Sequence, residues 1–346
     1  EQEHWFCRML ERLEGAGLAT RVNGHWQVQP TKGRPSAQTL WRTLLSSSPR
    51  SAAEALLLAH VFSKHKELCA SSFAEAGQTA FSSRLAESYF SNSSALWPFS
   101  EALVRCVQTV LREGESGQRI NILQLARDSA SLLAQTLPHL QPQGARSTCR
   151  YVVAEKSADA AQAAALLFDK APWVEFTSLD LEDPAKEHHG AYHLILLSCS
   201  LHEYDNSAQA LKGCLDMLAP GGVLCLLEHA ASPFTDYVFG ANPSWWKASR
   251  ERGLPVSLLQ PRAFWEEQMR AAGFAEILSL GAQYENSCPG LLLLGQKART
   301  LSRPEESAPG SVFGRPLQLA SLPEPGPEAG AEGEEAVRPT PCSLLI

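Results

Sequence analysis

Residues 191–204 read AYHLILLSCSLHEY, and residues 218–230 read LAPGGVLCLLEHA. Each holds an unbroken run of Leu, Ile, Val and Cys, too short for a membrane span and without the alternation of a one-sided strand. Such runs suit strands buried on both faces, as in a parallel sheet covered by helices on each side. Each run ends abruptly in polar residues: His202-Glu203 after the first, Glu228-His229 after the second. In an open parallel sheet the crevice lies at the carboxyl ends of the strands, so these polar exits mark the place to look for chemistry.

Working outward, strand-like runs fall at 119–125, 149–155, 173–179, 191–199, 222–228, 275–281 and 290–296. Helical spacing lies between them at 129–140, 157–170, 207–218 and 261–272. Alternation of this kind predicts a layered α/β domain, its last two strands close enough to form an antiparallel edge. The Pro220-Gly221-Gly222 segment reads as a turn ahead of the fifth strand. Upstream, residues 2–14 have helical apolar spacing, and LATRV and HWQVQ are joined by Asn23-Gly24, a two-residue hairpin signal. A helix followed by a hairpin is winged-helix-like, which fits a lid or dimerisation element, or alternatively a DNA-binding or regulatory unit. Residues 36–112 read as mostly helical. Residues 299–346 hold eight of the 22 prolines with little apolar periodicity, and are read as a disordered tail or linker. The expected division is 1–117, 118–298 and 299–346.

The chain has 346 residues, is 44% hydrophobic and carries a formal charge of −7. That charge argues against a nucleic-acid footprint. Nine dispersed cysteines without a CxxC predict reduced, mostly buried thiols and a cytoplasmic setting. No apolar run approaches the ~18 residues of a membrane span. The start at Glu1 reads as a segment of a longer polypeptide. No residues have metal-ligand spacing, and His188-His189 is expected in an exposed loop.

Adjacent parallel strands place His202 and Glu228 side by side, and a carboxylate that orients an imidazole makes a general base. Glu155 ends the second strand, where a carboxylate accepts two ribose hydroxyls; Asp180 follows the third, placed for an adenine amino group or for a turn. The turn after the first strand is Ala126-Arg127-Asp128-Ser129-Ala130-Ser131, with no glycine. Close approach of a ligand to the backbone at this point requires glycine. Asp128 adds a negative charge; at ~4 Å and an effective dielectric near 20 it repels a ligand carboxylate by about 4 kcal/mol. The aromatic run from Phe234 to Trp246 is expected in a connection rather than on a helix. There Phe239, Trp245 and Trp246 either wall a pocket for an apolar chain or pack the core.

Together LHEYD, LAPGGVLCLLEHA, FGANPSWW and AFWEEQMRAAGF resemble the C-methyltransferase domains of type I polyketide synthases, over roughly residues 85–298. The resemblance implies a Rossmann-like class I methyltransferase sheet of seven strands behind a helical lid. It also implies S-adenosylmethionine as cofactor, with Ala126, Asp128, Glu155 and Asp180 in its site. His202 and Glu228 become the catalytic dyad, and the substrate a β-ketoacyl chain on the phosphopantetheine of an acyl carrier protein. Neighbouring synthase domains are implied as partners. The departure is the first motif, where Gln124 replaces a glutamate and the glycines are missing. That erosion resembles the non-methylating pseudo-methyltransferase domains of animal fatty acid synthase and some polyketide synthases, which persist as structural elements, and so implies a structural role with lost or weak cofactor binding.

Overall fold

The structure is a computed structural model that describes residues 2–30, 33–68, 89, 92–93, 96–113, 119–126, 129–140, 149–168, 174–240, 245–247, 256–280 and 290–299. Helix α1 (Gln2–Gly15) leads into a hairpin, β1 (Ala19–Val22) and β2 (His25–Val28). Asn23 and Gly24 close it with φ of 52° and 80°, the left-handed pair that a two-residue turn of this hand demands. Helices α2 (Ala37–Ser47), α3 (Ala52–Leu68) and α4 (Trp97–Glu113) follow.

Alternation then begins with β3 (Ile120–Ala126), α5 (Ser129–Leu140), β4 (Cys149–Glu155), α6 (Ala158–Leu167), β5 (Val174–Ser178), β6 (Tyr192–Ser198), α7 (Ser207–Met217) and β7 (Leu218–His229). A short helix, α8 (Pro233–Phe239), and two-residue strands β8 (Trp246–Lys247) and β9 (Val256–Ser257) come next. Helix α9 (Arg262–Ala272) and strands β10 (Glu276–Leu280) and β11 (Gly290–Gln296) complete the domain. The main sheet has the order β10-β11-β7-β6-β3-β4-β5. β3 to β7 run parallel, and β11 lies antiparallel between β7 and β10.

Strand periodicity divides the buried side chains between two cores. Ile122, Val153, Leu194, Leu196, Cys225 and Leu294 face α4 and α5. Leu123, Val152, Ile195, Leu197, Leu226 and Leu293 face α7 and α9. Each fully buried leucine contributes about 1.5–3 kcal/mol, so the runs in β6, β7 and β11 fix the centre of the sheet. A third core joins α1 and α3 to α8 through Trp5, Leu57, Val61, Val238, Phe239 and Trp245.

Two readings of the sequence are corrected. Pro220-Gly221-Gly222 is not a turn ahead of β7 but lies within it, because the strand starts at Leu218. Gly221, at φ 78°, allows the backbone to jog, and the register with β6 shifts between Tyr192 and Leu194. Likewise Phe234, Tyr237 and Phe239 are on a helix rather than in an open connection. Ser232 caps it, accepting from the Thr235 amide, with Pro233 in the first turn. The sequence signal for that helix, Ser-Pro-x-Thr, was present. Residues 300–346, nearly all of the expected tail, lie outside the described residues.

Candidate functional site

The parallel register of β6 and β7 pairs Ser198 with Leu227, which brings the loop after β6 alongside the end of β7. Cys199 leaves the strand with φ 52°, a left-handed conformation unusual for a side chain with a Cβ, and its amide donates to the Leu227 carbonyl at 2.7 Å. The chain then winds into a single 3-10 turn, Leu201–Glu203, that carries His202. Glu228 approaches from β7. Its Oε2 lies 2.5 Å from His202 Nδ1, and its Oε1 accepts the Leu201 amide at 2.7 Å.

Both side chains are out of solvent: His202 is 4% exposed and Glu228 0%. One carboxylate therefore fixes both the imidazole and the turn bearing it. A neutral imidazole that donates from Nδ1 keeps its lone pair on Nε2, the arrangement of a general base. The predicted pair is brought together.

His229 stands edge-on to His202, with ring centroids 6.5 Å apart. The Tyr89 ring stacks 6.0 Å from His229 and lies 6.0 Å from Phe239, which stacks in turn at 5.3 Å on Trp245. Of the three aromatic residues proposed from sequence, Phe239 and Trp245 thus reach the dyad only through Tyr89 and His229, and all three lie in a packed core. Phe239 and Trp245 are each 7% exposed, and Trp246 donates to the Gly240 carbonyl at 2.8 Å.

Sequence reasoning passed over Asp236, which is wholly buried beneath this cluster. Its Oδ2 takes Arg12 at 3.1 Å and Arg8 at 3.4 Å from α1, and Trp245 Nε1 lies 3.5 Å from its Oδ1. Trp5 of α1 also donates to the Tyr237 carbonyl at 3.1 Å. The first helix is pinned to the segment beside the dyad.

The ends of β3, β4 and β5 offer less. Ala126 closes β3 opposite Ser198, while Asp128 lies outside the described residues. Glu155 ends β4 opposite Ser178, half-buried. Asp180 is exposed, and its Oδ1 accepts the Glu182 amide at 2.9 Å, so the turn-forming role is the one observed. Gln124 is fully buried, and its Oε1 accepts the Tyr151 hydroxyl at 2.6 Å. Burial pushes that phenol well above its usual range, so it remains a donor.

One contact crosses the crevice. Lys156 follows β4 and Tyr204 follows β6, with β3 between them in the sheet, and Lys156 Nζ sits 4.4 Å from the Tyr204 ring centroid. His188, expected in solvent, is instead half-buried against Tyr192, Nδ1 to hydroxyl 2.9 Å.

The C-methyltransferase domain of the citrinin polyketide synthase superposes with a TM-score of 0.73 at 21% identity, covering 86% of this chain and 79% of that one. This is a methyltransferase fold. The CurJ carbon methyltransferase gives a TM-score of 0.69 at 22% identity, covering 86% and 81% of the two chains. In sequence the chain is 28% identical over 275 residues to clavatol synthase claF of Penicillium crustosum, covering 77% of this chain and 10% of that protein. The chain spans about a tenth of the length of the curated relatives it matches. No family model matches it. It is thus a methyltransferase-fold domain related to segments of polyketide synthases. Among the described residues no helix is long and apolar enough to cross a membrane.

Proposed function

We propose that this chain is a domain of a polyketide-synthase-type multienzyme that keeps the proton-abstracting dyad while its affinity for S-adenosylmethionine is low. The buried His202–Glu228 pair carries the first half of this reading. Its substrate is a β-ketoacyl thioester held on the phosphopantetheine arm of an acyl carrier protein in the cytoplasm. The α C–H bond breaks, the proton passes to Nε2 of His202, and the electron pair moves into the flanking carbonyl to give an enolate. Glu228 stabilises the imidazolium so formed. The segment ahead of α4 serves as lid, since α4 itself packs on the sheet, and residues 299–346 serve as linker to neighbouring synthase domains.

The fit to S-adenosylmethionine is poor, which supports the second half. That ligand needs the carboxyl end of β3, where the Lys156–Tyr204 contact spans the crevice and the turn has no glycine. Glu155 ends β4 where ribose hydroxyls would lie, and Asp180 commits one carboxylate oxygen to its own turn. Calorimetric titration with S-adenosylmethionine tests the proposal directly. No micromolar binding is expected, and micromolar binding overturns the low-affinity reading.

A second reading, an active C-methyltransferase of the same substrate, is favoured by the intact dyad. If the cofactor binds, His202→Ala abolishes α-methylation of a carrier-bound β-ketoacyl thioester and leaves cofactor affinity intact.

A further inference from the structure

Ser200 lies between the left-handed Cys199 and the turn that carries His202. It is 6% exposed, and its Oγ is buried without a hydrogen-bond partner among the described residues. Although it precedes the 3-10 turn in the capping position, its side chain makes no cap bond. A buried hydroxyl left unpaired carries a desolvation cost that folding alone does not offset, and native structures rarely tolerate it without a use. The backbone leading to it is also held in a sparsely populated conformation. Such conformations concentrate where a side chain must be aimed. The neighbouring amide, Leu201 N, is given to Glu228, while the Ser200 hydroxyl is left without a partner among the described residues.

Proton removal by His202 drives negative charge onto a carbonyl oxygen flanking the α-carbon, and a preorganised donor aimed at that oxygen is what the reaction lacks. We propose that Ser200 Oγ donates a hydrogen bond to this oxygen of the bound β-ketoacyl thioester, making it a catalytic residue alongside the dyad. The hydroxyl keeps its proton throughout, and the proton that moves passes from the α-carbon to His202 alone. This inference rests on the substrate class proposed above.

Two measurements on the full chain test it. Ser200→Ala removes a hydroxyl that has no partner among the described residues, so its melting temperature is expected to equal or exceed that of the unsubstituted chain. A clear drop means that the hydroxyl is bonded already, and overturns the inference. The second probe is a 2,2-dimethyl-3-oxobutanoyl thioester of N-acetylcysteamine, which lacks an α-proton, labelled with 13C at each carbonyl in turn. Binding is expected to shift one carbonyl stretch to lower frequency. Ser200→Ala is expected to lose that shift and to bind up to about tenfold more weakly. If the probe binds and the shift survives in Ser200→Ala, the role of Ser200 fails while the substrate class stands. If the probe does not bind the unsubstituted chain, both fail together.

Discussion

Glu228 holds His202 at 2.5 Å through one oxygen and the Leu201 amide at 2.7 Å through the other, so a single buried carboxylate positions a ring and the backbone beneath it. Glu228→Gln separates these roles. Its carbonyl oxygen still accepts from Leu201, but its amide donates toward Nδ1 and forces the other tautomer, in which Nε2 carries the proton. Folding is expected to persist, while α-proton exchange of a β-ketoacyl thioester in deuterated buffer falls by about a thousandfold or more above background. Glu228→Ala strands both donors and is expected to cost roughly 2–4 kcal/mol in denaturant unfolding.

Arg12 anchors α1 to Asp236 across 224 residues of chain. The arginine is about a third exposed, which screens its side of the pair, while the carboxylate is fully buried. Arg12→Ala is expected to destabilise by roughly 1–3 kcal/mol, because Asp236 loses a donor it cannot replace with water. Limited proteolysis should release α1 sooner in this variant than in the unsubstituted chain.

At Gly240 the three-way contact between Asp236, Trp246 and Trp5 leaves no room for a side chain. An added Cβ would lie 2.5 Å from the Trp246 ring and 2.8 Å from Trp5, and nearer still to the Asp236 carbonyl. The backbone there is ordinary, at φ −67°, so the obstacle is purely steric. Gly240→Ala is expected to cost about 1–3 kcal/mol and to lower the melting temperature.

Burial lowers the pKa of His193 below its ordinary 6.5, and its Nδ1 accepts the Asn121 amide at 2.9 Å, which requires the neutral ring. The unfolded chain takes up a proton below that ordinary value which the folded chain resists. Stability from this residue is thus fully present above pH 6.5 and is lost as pH falls through the lower, folded value. The free energy of unfolding measured between pH 7.5 and pH 5 should fall with acid, by about 1.4 kcal/mol per pH unit at most from this residue. His193→Gln should flatten the slope.

The sheet was legible because the runs Leu194 to Leu197 in β6 and Val223 to Leu227 in β7 cannot be satisfied by any half-exposed strand. The dyad followed from it, since parallel register leaves little freedom over which exits meet. Other features depend on contacts between distant residues, which periodicity does not record. Asp236 looks like an ordinary first-turn acid until α1 is laid over it. Ser200 looks like a loop serine, and its lack of a partner among the described residues shows only in the folded chain. The β7 jog was misread because Pro-Gly-Gly signals a turn in most settings, and only pairing with Tyr192 shows that the strand continues.

Strand β11 inserts between β7 and β10, setting Leu291 opposite Glu228 and Gly290 opposite His229. The edge that carries Glu228 is therefore lined by a segment made about sixty residues after it. During synthesis β7 leaves the ribosome with one flank unpaired, and its row of leucines waits for a partner that arrives last. Closure of the sheet beside the dyad is a late, non-local event, and a nascent chain halted after α9 would present an open hydrophobic edge.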